Sequence, residues 1–167
     1  MGSEVTVREA TPDDVEPIRT IARRAWERAY DDAMDEEVID EMLAAGYSTA
    51  AVEELVTSSE AELFVAELDG EPVGYASTTP DDSEDVGDVN VYVDPEHWGE
   101  GVGSRLLERT EEALADRGIS RVRDYVLVGN DAGNAFYRSH YEKTGEREVE
   151  IGGETHVANV YEGEVGR

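Results

Sequence analysis

The sequence predicts one α/β (α+β) domain spanning residues 1–167, with about seven strands and four or five helices. Three observations point there. Apolar residues recur in blocks that switch between period two and helical spacing. Glycine, proline and Asp-Gly punctuation separates the blocks, with no repeat, linker or low-complexity stretch between them. The length is about that of one domain, enough to bury roughly 70% of the extended-chain surface.

Val5 and Val7 alternate with polar residues and predict a short first strand. Thr11-Pro12-Asp13-Asp14 reads as a helix start. Thr11 can cap, Pro12 suits the first helical position, and the acids favour the positive helix end. Ile18, Ala22, Ala25 and Ala29 follow at helical spacing. A second helix is expected over Asp35–Ala45, with Val38, Ile39, Met42 and Leu43 on its apolar face and Gly46 ending it. A short third helix is expected over Thr49–Thr57. Strands follow at Glu62–Leu68 and Pro72–Thr78, joined by the hairpin pair Asp69-Gly70. Pro80 to Asp85 reads as an acidic loop. Val89, Val91 and Val93 mark a strand over Val86–Val93. A helix over Val102–Arg117 has Leu106, Leu107, Thr110, Ala113 and Leu114 as its inner face, and Gly118 caps it. Arg121–Val128 is a strand and Ala132–Ser139 a short helix. Tyr141–Ile151 and Glu154–Tyr161 form a hairpin about Gly152-Gly153.

The charge balance narrows the functional classes. The chain carries 41 acidic residues against 14 basic ones, a net charge of -27, and its only lysine is Lys143. Cysteine is absent, which excludes a disulfide scaffold, a thiol nucleophile and a cysteine-based metal centre. Such a field repels phosphate backbones, so no nucleic-acid partner is expected. No apolar run approaches the roughly 18 residues of a membrane span. High charge warns of disorder, but the 39% of apolar residues sit in periodic blocks. The composition resembles that of proteins from salt-in halophiles, with an ordinary acidic protein as the alternative. In molar salt the Debye length falls to about 3 Å and self-repulsion is screened. The first residues show no basic segment followed by an apolar core, so a cytoplasmic location is expected. Met1-Gly2 fits only the loose myristoylation pattern. His97, His140 and His156 lack metal-ligand spacing, and the acidic runs Asp31–Glu37 and Asp81–Asp85 lack the calcium-loop pattern, so no metal is expected.

The chemistry concentrates in Val93-Asp94-Pro95-Glu96-His97-Trp98-Gly99-Glu100-Gly101-Val102-Gly103-Ser104, between a strand and a helix. Three alternate glycines let the backbone approach a ligand closely. The following helix offers unpaired N–H groups and about half a positive charge. Together these make an anion site suited to phosphate or pyrophosphate, or else simply a tight strand-to-helix turn. A P-loop would need Lys after Gly103, where Ser104-Arg105 stands. A dinucleotide fingerprint would need Gly-x-Gly-x-x-Gly after the first strand, and this is Gly-x-Gly-x-Gly after the fourth.

In register, Val93, Pro95, Gly99, Gly101 and Gly103 resemble the cofactor motif of the GNAT superfamily of acetyl-CoA-dependent N-acyltransferases. Trp98 stands where Arg or Gln is commonest. A second segment, Asn130 to Tyr137, resembles the family's later motif of Asn followed seven residues on by Tyr. The usual Gly-Phe beyond it is here His140-Tyr141. The resemblance covers about Pro72 to Arg147, and the first third matches only in element order.

The resemblance implies a mixed central sheet whose fourth and fifth strands splay to admit the pantetheine arm of acetyl-CoA. The backbone of Val91, Tyr92 and Val93 would pair with that arm. The amides of Trp98, Gly99, Glu100, Gly101, Val102, Gly103 and Ser104 would hold the pyrophosphate. A strand N–H near Val93 could polarise the thioester carbonyl. A neutral primary amine would attack directly, and Tyr137 would protonate the leaving thiolate, since a phenol is protonated at neutral pH. Asn130 would bond the cofactor or cap the helix after it. Asp88 is the candidate base, with Glu84 or a water chain as alternatives. Trp26 and Tyr30, four apart on the first helix, would line the acceptor pocket or pack in the core. The acceptor would be a small-molecule amine or a protein or peptide amine, and a homodimer is compatible. A non-catalytic CoA-binding module of the same fold is the second reading, and a nucleotide switch the third. Local amides and a screened surface together predict that CoA affinity strengthens from dilute buffer to molar KCl. Calorimetric titration of CoA across that range checks it, and a monotonic loss of affinity would count against it.

Overall fold

The computed structural model describes residues 5–29, 35–46, 48–58, 61–81, 83–151 and 153–165. Seven strands form one sheet: β1 (Val5–Glu9), β2 (Glu62–Leu68), β3 (Glu71–Asp81), β4 (Val86–Val93), β5 (Arg121–Leu127), β6 (Glu142–Ile151) and β7 (Glu154–Glu164). Five helices pack on it: α1 (Val15–Ala29), α2 (Glu36–Gly46), α3 (Thr49–Thr57), α4 (Val102–Asp116) and α5 (Asp131–Arg138). The spatial order is β1-β2-β3-β4-β5-β7-β6. Every neighbouring pair is antiparallel except β4 and β5. The sheet is therefore mixed, and α4 is the crossover that a parallel pair requires.

Both faces of the central strands are buried, so β2 reads as a continuous apolar run. Leu63 and Val65 point to one face, where they meet Val15, Ile18, Ile21 and Ala22 of α1 and Val52 of α3. Phe64 and Ala66 point to the other, against Val102, Leu106 and Ala113 of α4. Period two on the strand thus feeds two separate cores. The inner face expected for α4 is the one observed, including Thr110, whose hydroxyl donates to the Leu106 carbonyl at 2.8 Å.

The chain enters α1 through a 3-10 turn at Pro12–Asp14. Asp14 is buried there, and Arg8 of β1 grips it with two bonds of 2.7 and 2.9 Å. The Thr11 N–H donates to the same carboxylate at 2.8 Å. The guanidinium of Arg8 lowers the Asp14 pKa despite burial. Ser48 caps α3 by accepting from the Ala51 N–H at 3.1 Å.

Two boundaries differ from expectation. β3 runs on to Asp81 rather than stopping at Thr78, because Pro80 and Asp81 pair with Gly87 and Val86 of β4. The acidic loop is correspondingly shorter. β7 runs to Glu164, because its last residues pair with Arg121, Val122 and Arg123 of β5. Gly152, in the expected β6–β7 turn, lies outside the described residues.

A buried amide ties this second half together. Asn134 is 5% exposed, and its Nδ2 donates to the carbonyls of Leu127 at 3.0 Å and Asn130 at 2.8 Å. Its Oδ1 accepts from Asn159 Nδ2 at 2.8 Å and from the Tyr161 hydroxyl at 2.7 Å. Asn134→Leu keeps the volume but strands these partners. It should cost at least about 2 kcal/mol, read as a lower urea midpoint at unchanged slope.

Candidate active site

Strands β4 and β5 pair only at Val86–Arg121, Gly87–Val122 and Asp88–Arg123. Beyond that rung they part, while β4 stays paired with β3 and β5 with β7. The gap opens a cleft of about 570 Å³. The Asp94 N–H donates to the Val73 carbonyl on the β3 side at 2.8 Å. Ladder alternation therefore turns the backbone groups of Val91 and Val93 to the opposite side, into the gap. One of these groups is occupied: the Trp98 indole donates to the Val93 carbonyl at 2.8 Å. The side chain at the family's Arg or Gln position thus pins the strand end to the turn after it.

At the floor of the cleft the chain turns into α4. Gly99 and Gly101 have φ of +81° and +85°, a region that side chains rarely enter. Gly101 is the N-cap of α4, so the unpaired amides of the helix's first turn face the cleft. Gly103 serves a different purpose, close packing: a Cβ there would lie 3.0 Å from the Phe136 ring of α5, which would have to shift by a few tenths of an ångström. Asn130 caps α5, accepting from the Gly133 N–H at 2.8 Å. Ser104 Oγ lies 3.0 Å from His140 Nε2, which links the starts of α4 and the end of α5.

Tyr137 of α5 lines the cleft at 3% exposure, stacked on Tyr141 and Tyr161 with centroids 6.0 and 5.8 Å apart. Its hydroxyl meets no partner at hydrogen-bonding geometry among the described residues. Asp124 of β5 lies beside it on the same wall, close enough for each to shift the other. Burial, and the neighbouring negative charge of Asp88, push the Asp124 carboxyl up to about 7 against the opposing pull of the Tyr137 hydroxyl and the Tyr125 amide. Burial first, then the Asp124 charge, raise the phenol well above its usual value. Asp124 is also the only carboxylate among the described residues lining the cleft, in a chain with 41 acidic residues.

The acetyltransferase (GNAT) family profile matches residues 15–141, most of the chain. The chain belongs to this family. A spermidine N(1)-acetyltransferase of Thermoplasma acidophilum is 24% identical over 137 residues, covering 80% of this chain and 84% of the relative. The crystal structure of PaiA N-acetyltransferase from Thermoplasma acidophilum in complex with coenzyme A superposes with a TM-score of 0.81 at 21% identity, covering 96% of this chain and 99% of the other. The ribosomal-protein-S18-alanine N-acetyltransferase of Escherichia coli gives 0.72 at 19% identity, covering 98% and 96%. These likenesses establish the GNAT fold.

Within that fold, most of the residues expected at the site meet in one cleft. Trp26, Val91, Tyr92, Val93, Trp98, Gly99, Gly101, Val102, Gly103, Ser104, Asn130 and Tyr137 all line it. Trp26 and Tyr92 stack at 6.4 Å in the cleft. Glu100 is exposed, lies 3.3 Å from His97, and does not line the cleft, although His97 does. Tyr30 lies outside the described residues. Asp88 sits on the last paired rung and bonds Arg123 at 2.9 Å, outside the lining set. The carboxylate among the described lining residues is Asp124, which is absent from the residues expected at the site. A signal existed: Asp124 interrupts the apolar alternation of Val122 and Val126.

The raised Asp124 pKa fixes a stability sign. The folded state holds this proton more tightly than the unfolded state. The contribution is full below about pH 4, the ordinary carboxylate range, and is lost as pH rises through about 7. Wild-type stability relative to Asp124→Asn should therefore fall across that window. Chemical denaturation of both proteins at stepped pH checks it, and a pH-independent difference would contradict the burial of the carboxyl.

Proposed function

We propose that this chain is an N-acetyltransferase that moves the acetyl group of acetyl-CoA to a primary amine by direct attack. The observation that carries the reading is the Tyr137 hydroxyl, a buried donor lacking a bonded partner, in the same cleft as the exposed edge of β4 and the first turn of α4. The residues present fit acetyl-CoA. Val91 and the N–H of Val93 offer an open strand edge, and the Gly99–Ser104 turn offers amides and a positive helix end to phosphates. The scarcity of carboxylates in the cleft suits an anionic ligand. The match of GNAT relatives that act on spermidine and on a ribosomal-protein alanine supports an amine acceptor.

Acetyl-CoA supplies an activated acyl thioester. The N–H of Val93 would polarise the acyl oxygen. Asp124 accepts the proton that the attacking amine loses, directly or through water. Tyr137 gives its proton to the departing sulfur, and Asp124 then restores Tyr137. One proton thus leaves the amine and one reaches the thiol. Asp88, bound by Arg123, instead holds the rung from which the strands diverge. The acidic surface suits work in concentrated salt.

Tyr137→Phe should lower kcat by about 10²-fold or more while the KM for acetyl-CoA changes little. Thiol release from acetyl-CoA with a panel of amines in molar KCl measures this. Equal rates for wild type and Tyr137→Phe would remove the proton-donor role. CoA binding with no transfer to any amine would favour the non-catalytic binding module.

A further inference from the structure

The wall of the cleft formed by β5 carries a second constellation. Tyr125 lines the cleft, and two guanidinium groups stack on its ring. Arg123 lies 5.4 Å from the ring centroid and Arg147 of β6 lies 5.2 Å from it. Arg147 reaches Tyr125 across β7. Its partner in the register is Ala158, which in turn pairs with Leu127 of β5. The small Ala158 side chain leaves room for the arginine stem to cross the intervening strand.

The two arginines differ in charge compensation. Arg123 is held by Asp88 at 2.9 Å. Arg147 is exposed and makes no ion pair with any carboxylate among the described residues. Arg8, Arg19, Arg23, Arg24, Arg117 and Lys143 each pair with an acid. Arg28, Arg105, Arg109, Arg121 and Arg138 share with Arg147 the lack of an ion pair among the described residues, but of these only Arg147, itself outside the lining residues, stacks on a tyrosine that lines the cleft. Among the described residues the acceptor side is formed by Trp26, Tyr92, Tyr125, Ala25 and Ala29, and Asp124 is the one carboxylate that lines the cleft.

We infer that the acceptor is an amine that also carries a carboxylate, as an amino acid does, with Arg147 beside Tyr125 as the group that receives that carboxylate. Guanidinium and carboxylate match as planar, two-point partners. Stacking on Tyr125 holds the fork in place before the acceptor arrives. The aromatic wall accepts an apolar side chain. The inference rests on the acetyltransferase reading and adds to it the class of acceptor.

The test compares amino acids with the same molecules lacking the carboxylate. Thiol release from acetyl-CoA is measured with L-phenylalanine against 2-phenylethylamine, L-leucine against 3-methylbutylamine, and with spermidine. Each amino acid should exceed its decarboxylated partner by about tenfold or more in kcat/KM, the scale of one charged hydrogen-bonding contact. In Arg147→Ala the ratio within each pair should fall towards one, through a higher KM for the amino acid rather than a lower kcat. Arg147→Lys should retain part of the preference. Equal or better use of the decarboxylated amines, a preference for spermidine, or an unchanged ratio in Arg147→Ala would overturn the assignment. Calorimetry with CoA separates the two levels. Transfer to other amines of the panel but to neither amino acid overturns the acceptor class, whereas CoA binding with no transfer to any amine, or no CoA binding, overturns the acetyltransferase reading beneath it.

Discussion

The divergence of β4 from β5 is the constraint on which the rest of this structure depends. A parallel pair buried in the middle of a sheet would normally satisfy its backbone along its full length. Here the ladder stops after Asp88 and Arg123, and each strand remains bound only to its outer neighbour. The backbone groups left over must find other partners. The Trp98 indole takes the Val93 carbonyl, Asn134 takes the Leu127 carbonyl, and the Asp124 carboxylate takes the Tyr125 N–H. What remains open is the edge at Val91 and the N–H of Val93, which a ligand with amide groups of its own can complete as a further strand would. The cleft is therefore a gap in a sheet, built to be filled.

Electrostatics work on two length scales in this molecule. Across the surface, the net charge of -27 opposes any anion at long range. Within the cleft, the local charges have been sorted differently. One carboxylate lines it, and that one holds its proton up to about pH 7. The helix start at Gly101, and Arg147 stacked on Tyr125 behind the cleft wall, supply positive potential over a few ångströms. In concentrated salt only such short-range terms survive. The sorting of charge inside the cleft is thus independent of the charge on the surface.

Much of this was legible in the sequence, for identifiable reasons. The strand–turn–helix from Val86 to Asp116 declares itself because period two, alternate glycines and period 3.6 follow one another without interruption. The spacing of Asn130 and Tyr137 is likewise local, set by two turns of one helix. The features that escaped are those made by strand order. Asp124 becomes a cleft residue because α5 folds back over β5, and nothing near residue 124 announces that. Arg147 reaches Tyr125 only because β7 inserts between β5 and β6. Asp88 looked free in the sequence because its partner, Arg123, is 35 residues away on a strand whose neighbour could not be read. Pro80 looked like a strand end, yet β4 pairs alongside it.

The position of β7 also bears on how the molecule is assembled. It is the last strand along the chain, yet it lies inside the sheet, with β5 on one side and β6 on the other. Until it arrives, β5 presents an open edge, and Asn134 has neither Asn159 nor Tyr161 to bond. The wall that holds Tyr137 and Asp124 is thus among the last parts to become rigid during synthesis. A chain still emerging would carry a hydrophobic, unpaired strand edge at the place where the finished protein handles its reactants. Long-range pairing of this kind is slow to form and open to mispairing with other copies. Heavy negative charge on every copy is one means of keeping such half-made molecules apart while the final strand finds its slot.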